Sequence, residues 1–352
     1  MSNHILGKEN SNILRGLAII SIMLHNFLHY GFGFTEENEM DYSQERADAF
    51  FHAVNVHETS ILGELFSFLG WTGVPVFVFL TGYGLGKKHP SHRWINTFAY
   101  LRHQYLKLFF LLLPAILFFV YFDLRSGLLV DAAKKLFVLS MLQNFDYPLL
   151  KINPGVYWYF GLTFQLYIVF LFFRKHLKPV ILLIFSLLTV ILLGYLGLSD
   201  MKDAMSIYRH CITGWFPIFA LGIWLSTKEE MLHYKCSLAK SILFSAFFLV
   251  VLVIMNVNYY LWLFVPLASL LFFLSFGNIV MRIPFLSGIF KVVGSYSAFI
   301  FVCHPIARQL YYIFKHNFSD FYMALFFYLL VTFVLSYCYK IYTSTIKKMI
   351  NY

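Results

Sequence analysis

The sequence predicts an all-α, polytopic membrane protein of about ten transmembrane helices with both termini in the cytoplasm. Three observations lead there: composition, the length of the apolar runs, and the placement of charge. The chain of 352 residues is 60% hydrophobic, 20% aromatic and only 12% charged, with a mean hydropathy of +0.70. Soluble domains run at about 45–50% apolar and about 25% charged. Folded in water, this chain would expose apolar surface that it has no charges to cover. Disordered, collagen-like, coiled-coil and disulfide-scaffold classes fail on the same numbers. The apolar runs approach the length of about 20 residues that an α-helix needs to cross about 30 Å of hydrocarbon. An outer-membrane barrel would instead show alternating segments of about 10 residues.

In chain order the expected spans are 13–32, 67–87, 104–123, 155–173, 179–198, 212–226, 237–255, 259–277, 289–314 and 320–343. The sixth is short and suits a tilted or partly re-entrant helix. The stretch 131–142 is amphipathic and too short to span, so a surface position is expected. The connection 33–66 is acidic and reads as a partly helical extracytoplasmic loop, and 88–103 as a basic cytoplasmic loop. The first apolar run follows Arg15, holds His25 and lacks an A-x-A-like cleavage site, so no signal peptide is expected. The whole chain, 1–352, reads as one integral-membrane domain.

With ten spans and the N-terminus inside, 18 of the 27 Lys and Arg fall on the inner side and nine outside. Acidic residues divide the other way, three inside and 14 outside. Every inner loop is basic, as the positive-inside rule asks. The net charge of +10 therefore reports orientation, and a nucleic-acid partner is not expected. Cys211, Cys236, Cys303 and Cys338 show no CxxC spacing, so free thiols and no metal site are expected.

Ionisable residues inside spans are costly and are functional candidates by default. Span one carries Arg15, His25 and His29 in RGLAIISIMLHNFLHY. His25 stands about 15 Å above Arg15, near mid-bilayer, and His29 shares its face one turn on. Span nine repeats the theme in GSYSAFIFVCHPIARQ: Tyr296 and Ser297 lie low, His304 two to three turns higher, and Arg308 one turn beyond. The two helices run the same way, so His25 and His304 are expected at similar depth, where imidazoles could transfer protons. The competing reading of each is interhelical hydrogen bonding, with Arg15 a topology anchor. In span four, Trp158 and Gln165 are seven apart and share a face suited to stacking a sugar and binding its hydroxyls, while Tyr157 and Tyr159 suit the aromatic belt. After span two, Gly82, Gly84 and Gly86 allow close backbone approach at the inner surface, and Arg93, Arg102, His103 and Lys107 gather charge suited to a phosphate-rich cytosolic donor. Anionic-lipid contact is the plainer reading of Lys87 and Lys88. The glycines do not match G-x-x-x-x-G-K-[ST], and a nucleoside-triphosphate loop is rejected.

On these residues the chain resembles the membrane-bound acyltransferase 3 family, ten-helix proteins that modify bacterial surface glycans and related acceptors. The resemblance runs through LRGLAII…LH, GVPVFVFLTGYGLG, LRHQYLKLFFLLLP, VYWYFGLTFQLYIV, FPIFALGIWLS and GSYSAFIFVCHP, in family order over almost the whole chain. It implies transfer of an acyl group, often acetyl, from cytosolic acyl-CoA to a hydroxyl on the far side of the bacterial cytoplasmic membrane. Arg15 and His25 match the family's essential basic residue and histidine of the first helix, although nine residues separate them where the family usually has ten. One residue fewer turns the histidine by about 100°, which keeps His29 a candidate. Lys107 stands where the family's Arg-x-x-Arg closes, and His304 matches its late His-Pro. His25 is then the expected general base or acyl carrier, Tyr296 and Ser297 the candidates for holding an oxyanion, and Arg93, Arg102 and Lys107 the groups for the phosphates of CoA. The acceptor, a glycan or lipid-linked molecule, is left open. A transporter or flippase for a glycan or small acid would use the same polar core; no inverted repeat supports it. A structural subunit would not need that core.

Overall fold

The computed structural model describes residues 6–56, 60–89, 95–150, 152, 154–176, 178–195, 202–228, 236–318 and 320–350. Of the described residues 87% are helical and none lies in a strand. The helices are α1 (Lys8–Phe32), α2 (Gln44–Val56), α3 (Ile61–Leu69), α4 (Val74–Lys88), α5 (Thr97–Arg125), α6 (Leu129–Phe137), α7 (Tyr147–Leu150), α8 (Trp158–His176), α9 (Pro179–Tyr195), α10 (Lys202–His210), α11 (Ile212–Ser226), α12 (Leu238–Asn256), α13 (Tyr259–Trp262), α14 (Val265–Val280), α15 (Pro284–Ser295), α16 (Ser297–Phe314) and α17 (Phe321–Ile350).

Among the described residues six stretches are long and apolar enough to cross a membrane: α1, α3–α4, α5, α8 with the turn before it, α12 and α17. Bent by 77° at Tyr296, α15 and α16 count as a seventh if the two form one span. The protein is therefore a multi-pass membrane protein. The other three expected spans are also helical but shorter: α9, α11 with 15 residues, and α13–α14, whose longer part has 16. At 1.5 Å per residue, α11 is about 22 Å long, short of the hydrocarbon thickness.

By contacts the chain divides into two compact units. The first holds Met1–His92, Phe173–Met205 and Thr213–Ser297. Its inner helix is α1, with 78% of its most apolar stretch buried, against 17% for α12, which presents Ile242, Leu243, Phe247 and Val250 outward as a lipid-facing surface. Small residues set the spacing here, because lipid offers no hydrophobic drive between helices and close packing must replace it. Along α1 and α15, a Cβ added at Gly16 would lie 2.1 Å from the Phe290 carbonyl oxygen. The α4–α11 contact is reciprocal: Gly82 abuts Phe219 O and Gly222 abuts Phe79 O, each at 2.3 Å from a built Cβ. Of the three glycines expected to allow backbone approach at the inner surface, Gly82 and Gly86 thus serve helix packing, while Gly84 faces open space.

The second unit holds Arg93–Phe172, Ser206–Ile212 and Ala298–Tyr352. Helix α6 overlaps the stretch 131–142 expected on the membrane surface. It leaves Leu129, Val130, Leu136 and Phe137 exposed but buries Ala132 and Lys135 against α5. Lys135 Nζ lies 2.6 Å from Asp123 Oδ1, and both side chains are at most 10% exposed. This ion pair fastens α6 to α5.

Candidate active site

The first-unit site is built where α1 meets α3 and the 3-10 turn Gly70–Gly73. A Cβ at Gly70 would fall 2.5 Å from His25 Cβ and 2.7 Å from Ser21 O. Only a residue without a side chain lets the turn lie on α1 at this point. Ser21 Oγ donates to the Gly70 carbonyl at 3.0 Å and locks the contact. One turn earlier, Ser67 presents its carbonyl to His25 Nδ1 at 2.5 Å, and His25 is 3% exposed. A carbonyl can only accept, so Nδ1 carries the proton and donates it. In the neutral imidazole Nε2 then holds the lone pair.

Nε2 faces the carboxylate of Glu37 at 3.9 Å, and the same oxygen lies 3.5 Å from His29 Nδ1. The two imidazoles stack with centroids 5.8 Å apart and planes 15° from parallel, so the expected shared face of His25 and His29 is present. A nitrogen of His25 and one oxygen each of Glu37 and Glu39 lie within 4.8 Å of one another, close enough to hold one cation between them. Asn26, beside His25 in sequence, donates its side-chain N–H to Ile22 O within α1. Arg15 donates to Asn12 Oδ1 at 3.3 Å and is half-buried, about 15 Å along the helix from His25.

Glu37 was not a candidate from the sequence. Gly33 ends α1 in the left-handed region at φ 68°, and the acidic segment read as a loop turns back over the end of the helix. Thr35 N–H donates to the Glu64 carboxylate, and Ser67 Oγ to Thr35 O. No periodicity carries such a contact. The Gly-Phe-Gly turn followed by an acidic run is the signal that could have suggested it.

In span nine, Tyr296 sits at the break and Ser297, buried, begins α16. His304, in the second unit, is fully buried. Its Nδ1 meets Ile300 O at 3.2 Å, and its ring packs edge-on to Phe301. Arg308 is buried within electrostatic reach of Tyr157, Tyr312 and Tyr328.

Trp158 and Gln165 both lie in the interior of the second unit. The indole meets the His210 imidazole edge-on at 5.2 Å. Gln165 Oε1 accepts Ile212 N–H at 2.9 Å, satisfying a first-turn donor of α11. The face expected to stack a sugar thus meets His210 and the start of α11, and Trp158 also lines a cavity with Tyr157 and Gln143. The sequence also gave no reason to single out Arg209, 1% exposed, or Asn144, which donates to the carbonyls of Trp158 and His210.

Arg102, His103 and Lys107 project from the first turns of α5 as exposed side chains. Arg93 lies outside the described residues.

No curated protein and no solved structure matches the chain. A family model described as an acyltransferase domain matches residues 9–341, and the protein belongs to the acyltransferase 3 family.

Proposed function

We propose that the protein is an O-acyltransferase of the bacterial cytoplasmic membrane that moves an acyl group, acetyl first among them, from cytosolic acyl-CoA to a hydroxyl of an extracytoplasmic glycan or lipid-linked acceptor. The observation that carries this reading is the hydrogen bond from His25 Nδ1 to the Ser67 carbonyl, which leaves Nε2 as a buried base. Nε2 takes the acceptor's hydroxyl proton as the oxygen attacks the thioester carbonyl. The new C–O bond forms and the C–S bond breaks. The imidazolium returns the proton to the departing sulfur, so CoA leaves as the thiol. Acyl transfer through Nε2 itself reaches the same products in two steps.

Tyr296 and Ser297 are assigned to the oxyanion, since a break between helices frees backbone N–H groups at the start of the second. Arg93, Arg102, His103 and Lys107 are assigned to the CoA phosphates. His304 is a second proton-transfer group, Arg308 an acceptor contact and Arg15 a charge at the inner end of α1. The topology is ten spans with both termini in the cytoplasm; α9, α11 and α13–α14 cross as short helices.

The test is mass spectrometry of cell-surface glycans with and without the gene, beside acyl transfer and CoA release by the purified protein. Loss of one acyl mass per modified sugar, with acyl-CoA consumed in vitro, is expected. A purified protein that moves an acceptor across vesicles and never consumes acyl-CoA would overturn the reading in favour of a transporter. Single cysteines at Ser43 and Ser91 test the topology: an impermeant thiol reagent added to intact cells should label only the first.

A further inference from the structure

We propose that Glu37 is the positioning residue for His25, a fixed carboxylate that stabilises the imidazolium formed when Nε2 takes the acceptor's proton. This rests on the reading of His25 as the base. Three independent features support it.

The first is that the carboxylate's place is built. Asn38 is fully buried: its Oδ1 accepts Ser43 N–H at 3.0 Å, its Nδ2 donates to Asn256 O at 3.0 Å, and its carbonyl accepts Trp262 Nε1–H. Arg46 donates to the carbonyl of Glu37 itself. On the other side, Thr35 is held by Glu64 and Ser67. The backbone is therefore fixed at Glu37 and on both sides of it, so its position does not depend on a floppy loop.

The second is that, among the described residues, Glu37 pairs with no other cation. Arg46 spends its charge on Asp41 at 2.7 Å. Among the described residues the groups within 4 Å of the Glu37 carboxylate that can carry positive charge are His25 and His29. Glu37 Oε2 and His29 Nδ1 are both buried without a hydrogen bond of good geometry. A carboxylate in that place can compensate a charge on one of the two rings.

The third is that Ser67 couples the two parts. Its carbonyl orients His25 and its hydroxyl holds Thr35, two residues before Glu37. One residue thus sets the distance between base and carboxylate. At 3.9 Å that distance is too long for a hydrogen bond, so Glu37 does not take the proton. The proton passes from hydroxyl to Nε2 to the CoA sulfur without being held by Glu37. One carboxylate compensates one positive charge, so His29 competes with His25 for it.

The test uses the full-length protein in detergent or lipid nanodiscs, with Glu37→Gln, Glu37→Asp and Glu39→Gln. The titratable groups facing the His25 ring among the described residues are His29, Glu37 and Glu39, with Glu64 beyond Thr35. Deuterium exchange at the imidazole C2 position, resolved for His25 by fragment mass, follows its titration without any substrate. Glu37→Gln should move the His25 midpoint to lower pH, Glu39→Gln should move it less, and Glu37→Asp should restore part of the shift. In acyl transfer, Glu37→Gln should lower kcat on the order of 10- to 100-fold with little change in KM for acyl-CoA. An unchanged His25 midpoint in Glu37→Gln overturns the proposal. So does activity lost to a chelator and regained with added zinc, since Glu37 would then hold a metal. A shifted midpoint in a protein whose parent transfers no acyl group would keep the Glu37–His25 pairing and sink the acyltransferase reading alone.

Discussion

His25 and Ser67 are 42 residues apart, yet the imidazole Nδ1 lies 2.5 Å from the serine carbonyl. That contact determines which nitrogen of a buried histidine holds the lone pair. His25→Ala is therefore expected to lower acyl transfer by at least 10²–10⁴-fold, the usual worth of general acid–base help. It also leaves the Ser67 carbonyl without its donor, at about 1–3 kcal/mol of stability. His29→Ala removes no backbone contact and is expected to cost activity less. Initial rates of the two purified variants check this; a dead His29→Ala beside an active His25→Ala reverses the assignment.

The close approach that places Ser67 can be tested separately. Gly70→Ala puts a methyl 2.5 Å from His25 Cβ and 2.7 Å from the Ser21 carbonyl, which is backbone and cannot swing aside. Overpacking of this kind costs about 1–3 kcal/mol, so a lower thermal midpoint and lost activity are expected together. Gly84→Ala, with nothing within 4 Å, serves as the control and should leave both unchanged.

How far these features were legible depends on the kind of contact that makes them. Helix α1 and its histidines are readable because an apolar run and the cost of ionisable groups in lipid are properties of the local sequence. The stacking of His25 on His29 follows from helical spacing alone. Glu37 is not readable, because it reaches His25 through a loop that doubles back after Gly33, and an acidic loop reads equally well as a solvated surface. Trp158 and Gln165 share a face by helical spacing, but periodicity does not say what covers that face. It is covered in part by Cys211 and the start of α11, through the Gln165–Ile212 hydrogen bond. The three short helices mark the limit of length counting, since a run of 15 apolar residues fits a buried helix and a sheltered span alike.

Gln165 offers a clean separation of ligand from scaffold. If its amide caps α11, Gln165→Leu leaves the Ile212 N–H unsatisfied and lowers stability by about 1–3 kcal/mol. The KM for the acceptor should stay within about twofold wherever the variant is folded. A tenfold rise in acceptor KM with an unchanged thermal midpoint would return Gln165 to the acceptor.

Arg102 makes the opposite case. It is exposed on α5 two turns before the buried Leu108, and removing it disturbs no packing. Arg102→Ala should leave expression and thermal midpoint unchanged while it weakens acyl-CoA binding. A charge-assisted hydrogen bond to phosphate is worth about 1.5–3 kcal/mol, so roughly a 10- to 100-fold rise in KM for acyl-CoA is expected. Arg102→Lys should recover only part of this, because an ammonium replaces a planar fork. Raising the salt concentration should blunt the difference between Arg102→Ala and the parent, since exposed charges are screened within about 8–10 Å at physiological ionic strength. An acyl-CoA KM in Arg102→Ala equal to that of the parent would assign Arg102 to orientation in the membrane and move the donor site elsewhere.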